Sequence, residues 1–327
     1  MLPKLQKMKW MKLNKQSFLV IVFAMIFLNF GCHRVRKEVV PDSMVTGQAT
    51  IAADEAILPL LNAEVAVFKS FYNFATIDCE YGSEYDAINL LLQEKTRLAL
   101  VMRPLNSNEI AFFKSRELNS ESIAIGHDAV ALIVHVENAT KALTTSQITE
   151  ILTGKIVTWS QIKNSEKEGN IKIVLDSESS GIIRSLNDSL QLNQKITGNI
   201  EFAGSNKKIL EMVASDPNSI GFIGYNWLSE KENPQVQEDL GKVNLIAVSK
   251  GLTADSLNSF VPTIASIYNL DYPITRKIYA LYTDPSASLA RGFLAHLTSE
   301  RGQKIIYRMG LKPENDFQRQ IKINKDY

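Results

Sequence analysis

Between Val174 and Leu186 the chain reads VLDSESSGIIRSL: the apolar end of a strand, a hydroxyl-rich turn, and the start of an amphipathic helix. Ser177, Ser179, Ser180 and Gly181 fall where the first helical N–H groups lack backbone partners, and Arg184 follows one turn in. Free N–H groups and the positive end of the helix dipole favour an anion at such a place. Serine hydroxyls add donors, and Arg184 adds a planar fork matched to an oxyanion. A serine that merely caps a helix reads the same way, so the rest of the chain must decide.

Three more short segments have the same character: AADEA (52–56), YGSEYD (81–86) and the MRPL turn (102–105). Each follows an apolar run and precedes a helix or turn. Arg103, after a strand-like stretch and before Pro104, is placed to meet a ligand at the end of a strand. Enzymatic chemistry finds less support, and the chain is read as a non-enzyme. His33, His127, His135 and His296 lack metal-ligand spacing, so neither metal nor cofactor is expected. There is no Gly-x-Ser-x-Gly elbow and no Walker loop. His127-Asp128 could form a dyad, but its position inside a long strand favours structural hydrogen bonds. Trp159, Trp227 and Tyr225 read as packing residues.

The elements that must position these loops alternate. GQATIAAD, ATIDCEYG and RLALVMRPL read as strands, separated by the helical patterns EAILPLLNAEVAVFKSFY and EYDAINLLLQEKT. SIAIGHDAVALIVHVEN is a long strand-rich stretch; NIKIVLD, IGFIGYNWL, VNLIAVSKG and ITRKIYALYT follow, with a last helix over SLARGFLAHLTSERGQKIIYRMG. Strands alternating with helices argue a parallel sheet covered on both faces, with ligands held beyond the strands' carboxyl ends.

With 327 residues, 45% hydrophobic and 22% charged, the chain suits two domains better than one core. The first 31 residues carry five lysines and no acid, and the remainder holds 31 basic against 35 acidic side chains. That balance excludes a general nucleic-acid binder, so an anion must be held by a few local donors. The basic start followed by SFLVIVFAMIFLNF and Gly31-Cys32 reads as a lipoprotein signal over residues 1–31, with Cys32 lipidated and 32–47 as a tether. Asn29 and Phe30 depart from the usual lipobox, leaving a plain signal peptide or a retained anchor as alternatives, and Met11 is an alternative start. Cys79 then has no partner for a disulfide.

The segments GHDAVALIVHVEN, LTTSQITEILTGKIVTWSQI, DPNSIGFIGYNWL and FLAHLTSERGQKIIYRMGLKP, in that order, resemble the phosphate-binding proteins of phosphate ABC transporters. The resemblance spans about residues 48–315 and implies an α/β, two-lobed, periplasmic-binding-protein-like (type II) fold with a ligand cleft between discontinuous domains. Residues 48–128 and 229–327 would form one lobe and 129–228 the other. It further implies a monomeric, membrane-anchored lipoprotein facing the periplasm or cell exterior that delivers inorganic phosphate, or a similar oxyanion, to an ABC permease. Another oxyanion, a small organic acid or phosphoester, or a non-transport sensing role on the same fold, are the alternatives.

Residue by residue, the resemblance carries over incompletely. The family's hydroxyl residue after the first strand falls at Ala56, which offers only its N–H. Ser83 matches the serine after the second strand, and Ser180 with Gly181 matches the second-lobe loop, flanked by Ser179. The family's aspartate falls at Met102, its threonine at Ile182 and its arginine at Asp176. Arg103 and Arg184 would restore positive charge. Asp54, Glu55 or Glu84 could replace the missing carboxylate as proton acceptor, or serve only as first-turn acids of helices.

Overall fold

The computed structural model describes residues 41–162, 168–192, 194–255, 257–283 and 286–315. The signal segment, Cys32 and the first part of the tether lie outside the described residues.

The first part of the chain builds three parallel strands and their crossovers: β1 (Gly47–Asp54), α1 (Leu58–Phe71), β2 (Ala75–Gly82), α2 (Glu84–Leu92), β3 (Leu98–Val101) and α3 (Ser107–Ser115). Then β4 (Glu121–His135) runs for 15 residues. Next come β5 (Ala142–Thr144), α4 (Thr145–Leu152), β6 (Lys172–Leu175), α5 (Gly181–Leu190), β7 (Ile200–Phe202), α6 (Asn206–Ser215) and β8 (Ser219–Gly224). The last third holds α7 (Asn226–Ser229), α8 (Pro234–Leu240), β9 (Val243–Ser249), β10 (Ser259–Phe260), α9 (Ile264–Tyr268), β11 (Thr275–Tyr282), α10 (Leu289–Thr298), α11 (Glu300–Arg308) and β12 (Lys312–Pro313).

The main strand order is β2-β1-β3-β11-β4-β8-β6-β7. β1 pairs in parallel with β2 and β3, and β6 in parallel with β7 and β8. A strand of 15 residues spans roughly 50 Å, too long for one set of neighbours. Its first half, through Ala129, pairs with β11, and Val130–Val134 pair with β8. Leu132–His135 also pair with β9, which continues to β5 and β10. The segment 243–249 thus joins the strands around 129–228 through β4 and β5.

Local chemistry explains the boundaries. The helical reading EAILPLL starts instead with a 3-10 turn, Glu55–Ile57, capped by Asp54, because Pro59 fits only the first turn of the α-helix that follows. The long C-terminal helix is two helices: Ser299 caps α11 by accepting the Gly302 N–H. α3, unmarked in the strand–helix reading, is fixed by an Asn106–Glu109 capping box. Trp159 is fully buried and donates to the Asn218 carbonyl, as packing requires. β3 and the second half of β4, from Ala129 to Val134, are continuous buried apolar runs, which is what helices on both faces demand.

Candidate functional site

The carboxyl ends of β1, β2, β3 and β6 bring Asp54, Ser83, Met102 and Asp176 toward the N-terminus of α5. Gly181 is the first residue of that helix, and a Cβ built on it would lie 2.4 Å from Asp54 Oδ2 and 3.2 Å from Glu84 Oε2. Glycine is therefore needed here for close approach. Loops more than a hundred residues apart in sequence thus meet here.

The expected donors are present but occupied. Ala56 donates its N–H to Asp54 Oδ1 (2.9 Å), and its carbonyl accepts from Asn226 Nδ2. Ser83 caps α2: its hydroxyl donates to Asp86 Oδ2 (2.7 Å) and accepts the Asp86 N–H. Ser180 caps α5 by accepting the Ile182 N–H (2.8 Å) and also bonds the Asp176 carboxylate, while Ser179 is exposed. The capping reading of both serines is thus the one their geometry fits. Arg103 turns its fork onto Glu109 (2.7 and 2.8 Å), six residues away. Arg184 grips Glu84 with Nε (2.6 Å) and Nη2 (2.9 Å), reaches the Met102 carbonyl, and holds Asp188 with Nη1. Arg184 lies beside Glu84 and Met102, and a carboxylate of the chain already fills its fork.

Electrostatically the centre is acid-rich. Asp54 is fully buried, and burial pushes its carboxyl up to about 7 against the pull of Arg276 and of the Ala56 N–H; Asp176 and Glu84 add to the rise. Its Oδ2 has no hydrogen-bond partner among the described residues. Burial also raises the Asp176 carboxyl above its ordinary value, though the Ser180 hydroxyl and the Ser177 N–H oppose this. Glu55 reaches from the end of β1 to the N-terminus of α6, accepting the Asn206 N–H (3.0 Å) and Nδ2 (2.6 Å). Among the described residues no group of three or more acids, histidines or cysteines is arranged to hold a metal ion.

Arg276 carries the cationic side of the site and was not singled out from the sequence. Nε and Nη2 bond Asp128 Oδ2 (3.1 and 2.7 Å), both side chains being buried, while Nη1 is buried without a partner among the described residues. A signal existed: Arg276 shares strand parity with Ile274, Ile278 and Ala280, all buried. A charged residue at a core-facing strand position requires a buried counterion. Arg276, Arg184, Arg103 and Lys277 line one cavity of about 220 Å³ beside Met102. His127, by contrast, turns to Glu314 while Asp128 turns to Arg276, so the adjacent pair forms no dyad.

The family model for the PBP superfamily domain matches residues 39–301. A phosphate-binding protein PstS of Borreliella burgdorferi is 24% identical over 273 residues, covering 80% of this chain and 88% of that protein. The phosphate-binding protein PstS of Bacillus subtilis is 20% identical over 332 residues, covering 97% and 98%. Among solved structures, a putative phosphate ABC transporter substrate-binding protein from Clostridium perfringens, with bound phosphate, superposes with TM-score 0.68 at 21% identity, over 82% of this chain and all of that one. An ABC-type phosphate transport receptor from Vibrio cholerae gives 0.59 at 19%, with the same coverage. These likenesses bear out the periplasmic-binding-protein-like α/β fold, and the chain belongs to the PBP superfamily domain family.

Proposed function

We propose that the chain is the ligand-capturing component of an ABC importer and that its ligand is a small oxyanion, inorganic phosphate first. The observation that carries this is the gathering of arginines beside Met102, where Arg103, Arg184 and Arg276 line one cavity together with Asp188, and Arg276 Nη1 is buried without a partner among the described residues. An anion seated among these arginines would draw charge-assisted hydrogen bonds. The relatives' names point the same way. The role is binding, not catalysis. Residues 48–128 with most of 229–327 form one lobe of this reading and 129–228 the other, with β9 joining the second because it pairs with β4 and β5. Lipid on Cys32, cleavage after residue 31, an extracytoplasmic location and a monomeric state complete it; among the described residues, no helix is long and apolar enough to cross a membrane.

A second reading has its own support: Ala56, Ser83, Ser180 and Arg184 already spend their donors inside the chain, as a protein kept for sensing or surface contact would tolerate. Calorimetric titration with phosphate, sulfate and molybdate separates the two. The importer reading expects saturable heat with at least one of them, weakened ten- to a hundredfold when the Arg276 donor is lost, since a hydrogen bond to a charged group contributes about 1.5–3 kcal/mol. Silence with all three favours the second reading.

A further inference from the structure

Glu84 is the first residue of α2, where acids commonly point outward toward solvent and the helix dipole. Here it turns inward and is 5% exposed. Its Oε1 accepts from Arg184 Nε (2.6 Å) and lies 3.8 Å from Arg103 Nε. Its Oε2 accepts from Arg184 Nη2 (2.9 Å) and from the Met102 backbone N–H (3.0 Å). Two guanidiniums and a backbone N–H at the end of a strand are what an oxyanion requires. The parts come from different elements: Met102 and Arg103 follow β3, and Arg184 lies on α5.

We infer that Glu84 is the site's built-in anion, a side chain that occupies the ligand's place on Arg184 and the Met102 N–H and that an external oxyanion must displace. This rests on the anion-binding reading above and adds what sets its selectivity. A tethered carboxylate competes at an effective concentration on the order of millimolar or more. Weak anions therefore do not enter, and only a ligand with more charge or more hydrogen-bonding oxygens than a carboxylate prevails. Displacing Glu84 releases Arg184 and the Met102 N–H together and removes the link between α2 and α5. The neighbouring acids belong to the same competition: Asp54 and Asp176 face α5 from the ends of β1 and β6, Asp188 holds the remaining Arg184 nitrogen, and Glu109 holds Arg103.

The test removes the internal anion and offers replacements. The full chain and its Glu84→Ala and Glu84→Gln variants are titrated with inorganic phosphate and with acetate, read by calorimetry and thermal melting. Glu84→Ala is expected to be stabilised saturably by acetate, which seats a carboxylate where the side chain was, while the parent is indifferent to acetate. Phosphate is expected to bind Glu84→Ala and Glu84→Gln at least tenfold more tightly than the parent. Adding Arg184→Gln to Glu84→Ala abolishes both responses. Acetate rescue of Glu84→Ala with no phosphate binding by any variant supports the internal anion and sinks phosphate as ligand. Phosphate binding by the parent that is equal or weaker in both Glu84 variants, with no acetate response, overturns the inference and leaves the proposed function standing.

Discussion

Asp128 and Arg276 form the site's buried ion pair, and separating them should be the most damaging local change the fold can suffer. Their side chains are 0% and 2% exposed, and Arg276 directs Nε and Nη2 onto the same carboxylate oxygen. In Arg276→Gln the carboxylate loses its cation and keeps the backbone N–H groups of Asn226 (3.3 Å) and Ala129. Stranding one member of such a pair is destabilising by about 3–5 kcal/mol. At about 2–4 °C per kcal/mol for a domain of this general size, the melting midpoint should fall by roughly 6–20 °C. Asp128→Asn strands the guanidinium instead and should be of similar severity. The double variant Asp128→Asn/Arg276→Gln replaces two charges with amides that can bond each other, and should recover at least half of the single-variant loss. The assay is urea denaturation of all four proteins in a double-mutant cycle. Singles that each lose under about 1 kcal/mol, or a double equal to their sum, would refute the buried-pair argument.

Gly181→Ala should destabilise by about 1–3 kcal/mol through overpacking, because the new methyl would press on Asp54 Oδ2 at 2.4 Å; a thermal melt unchanged from the parent would show that α5 does not pack as closely as described. Asp54 makes stability pH-dependent in a defined direction. Its carboxyl rises from 3.8 to about 7 on folding, so the folded state binds the proton more tightly than the unfolded chain. The contribution is fully present below about pH 4 and is lost as pH climbs through about 7, on the order of 4 kcal/mol in all. Asp54→Asn should therefore gain on the parent between pH 5 and pH 8 in urea midpoints, and a parent–variant difference equal at both pH values would defeat the burial account.

Much of the architecture is legible because it is written in periodicity. Continuous apolar runs in β3 and the second half of β4 call for cover on both faces, and the hydroxyl-rich turn before Gly181 marks a helix start within a residue of where it falls. The break at Ser299 is harder: α10 and α11 keep a helical pattern across it, and only the cap geometry shows two helices. The site is less legible than the fold. Ser83, Ser180 and Arg184 do assemble near one another, yet whether a donor is free depends on its partner. Glu84 lies 100 residues from Arg184 and Asp128 lies 148 from Arg276. No local spacing reports pairs of that kind. For Arg276, strand parity alone could have flagged a charge among core positions; for Glu84, a first-turn acid looks the same whether it faces water or an arginine.

The central claim is that this chain captures a small oxyanion between loops of its two halves. Equilibrium dialysis of the purified full chain against radiolabelled inorganic phosphate tests it most directly. Retention of one phosphate per chain is expected to be saturable, displaced by unlabelled phosphate and unaffected by chloride or acetate. Retention no greater than that of a non-binding control protein, at phosphate concentrations up to the millimolar range, would contradict it.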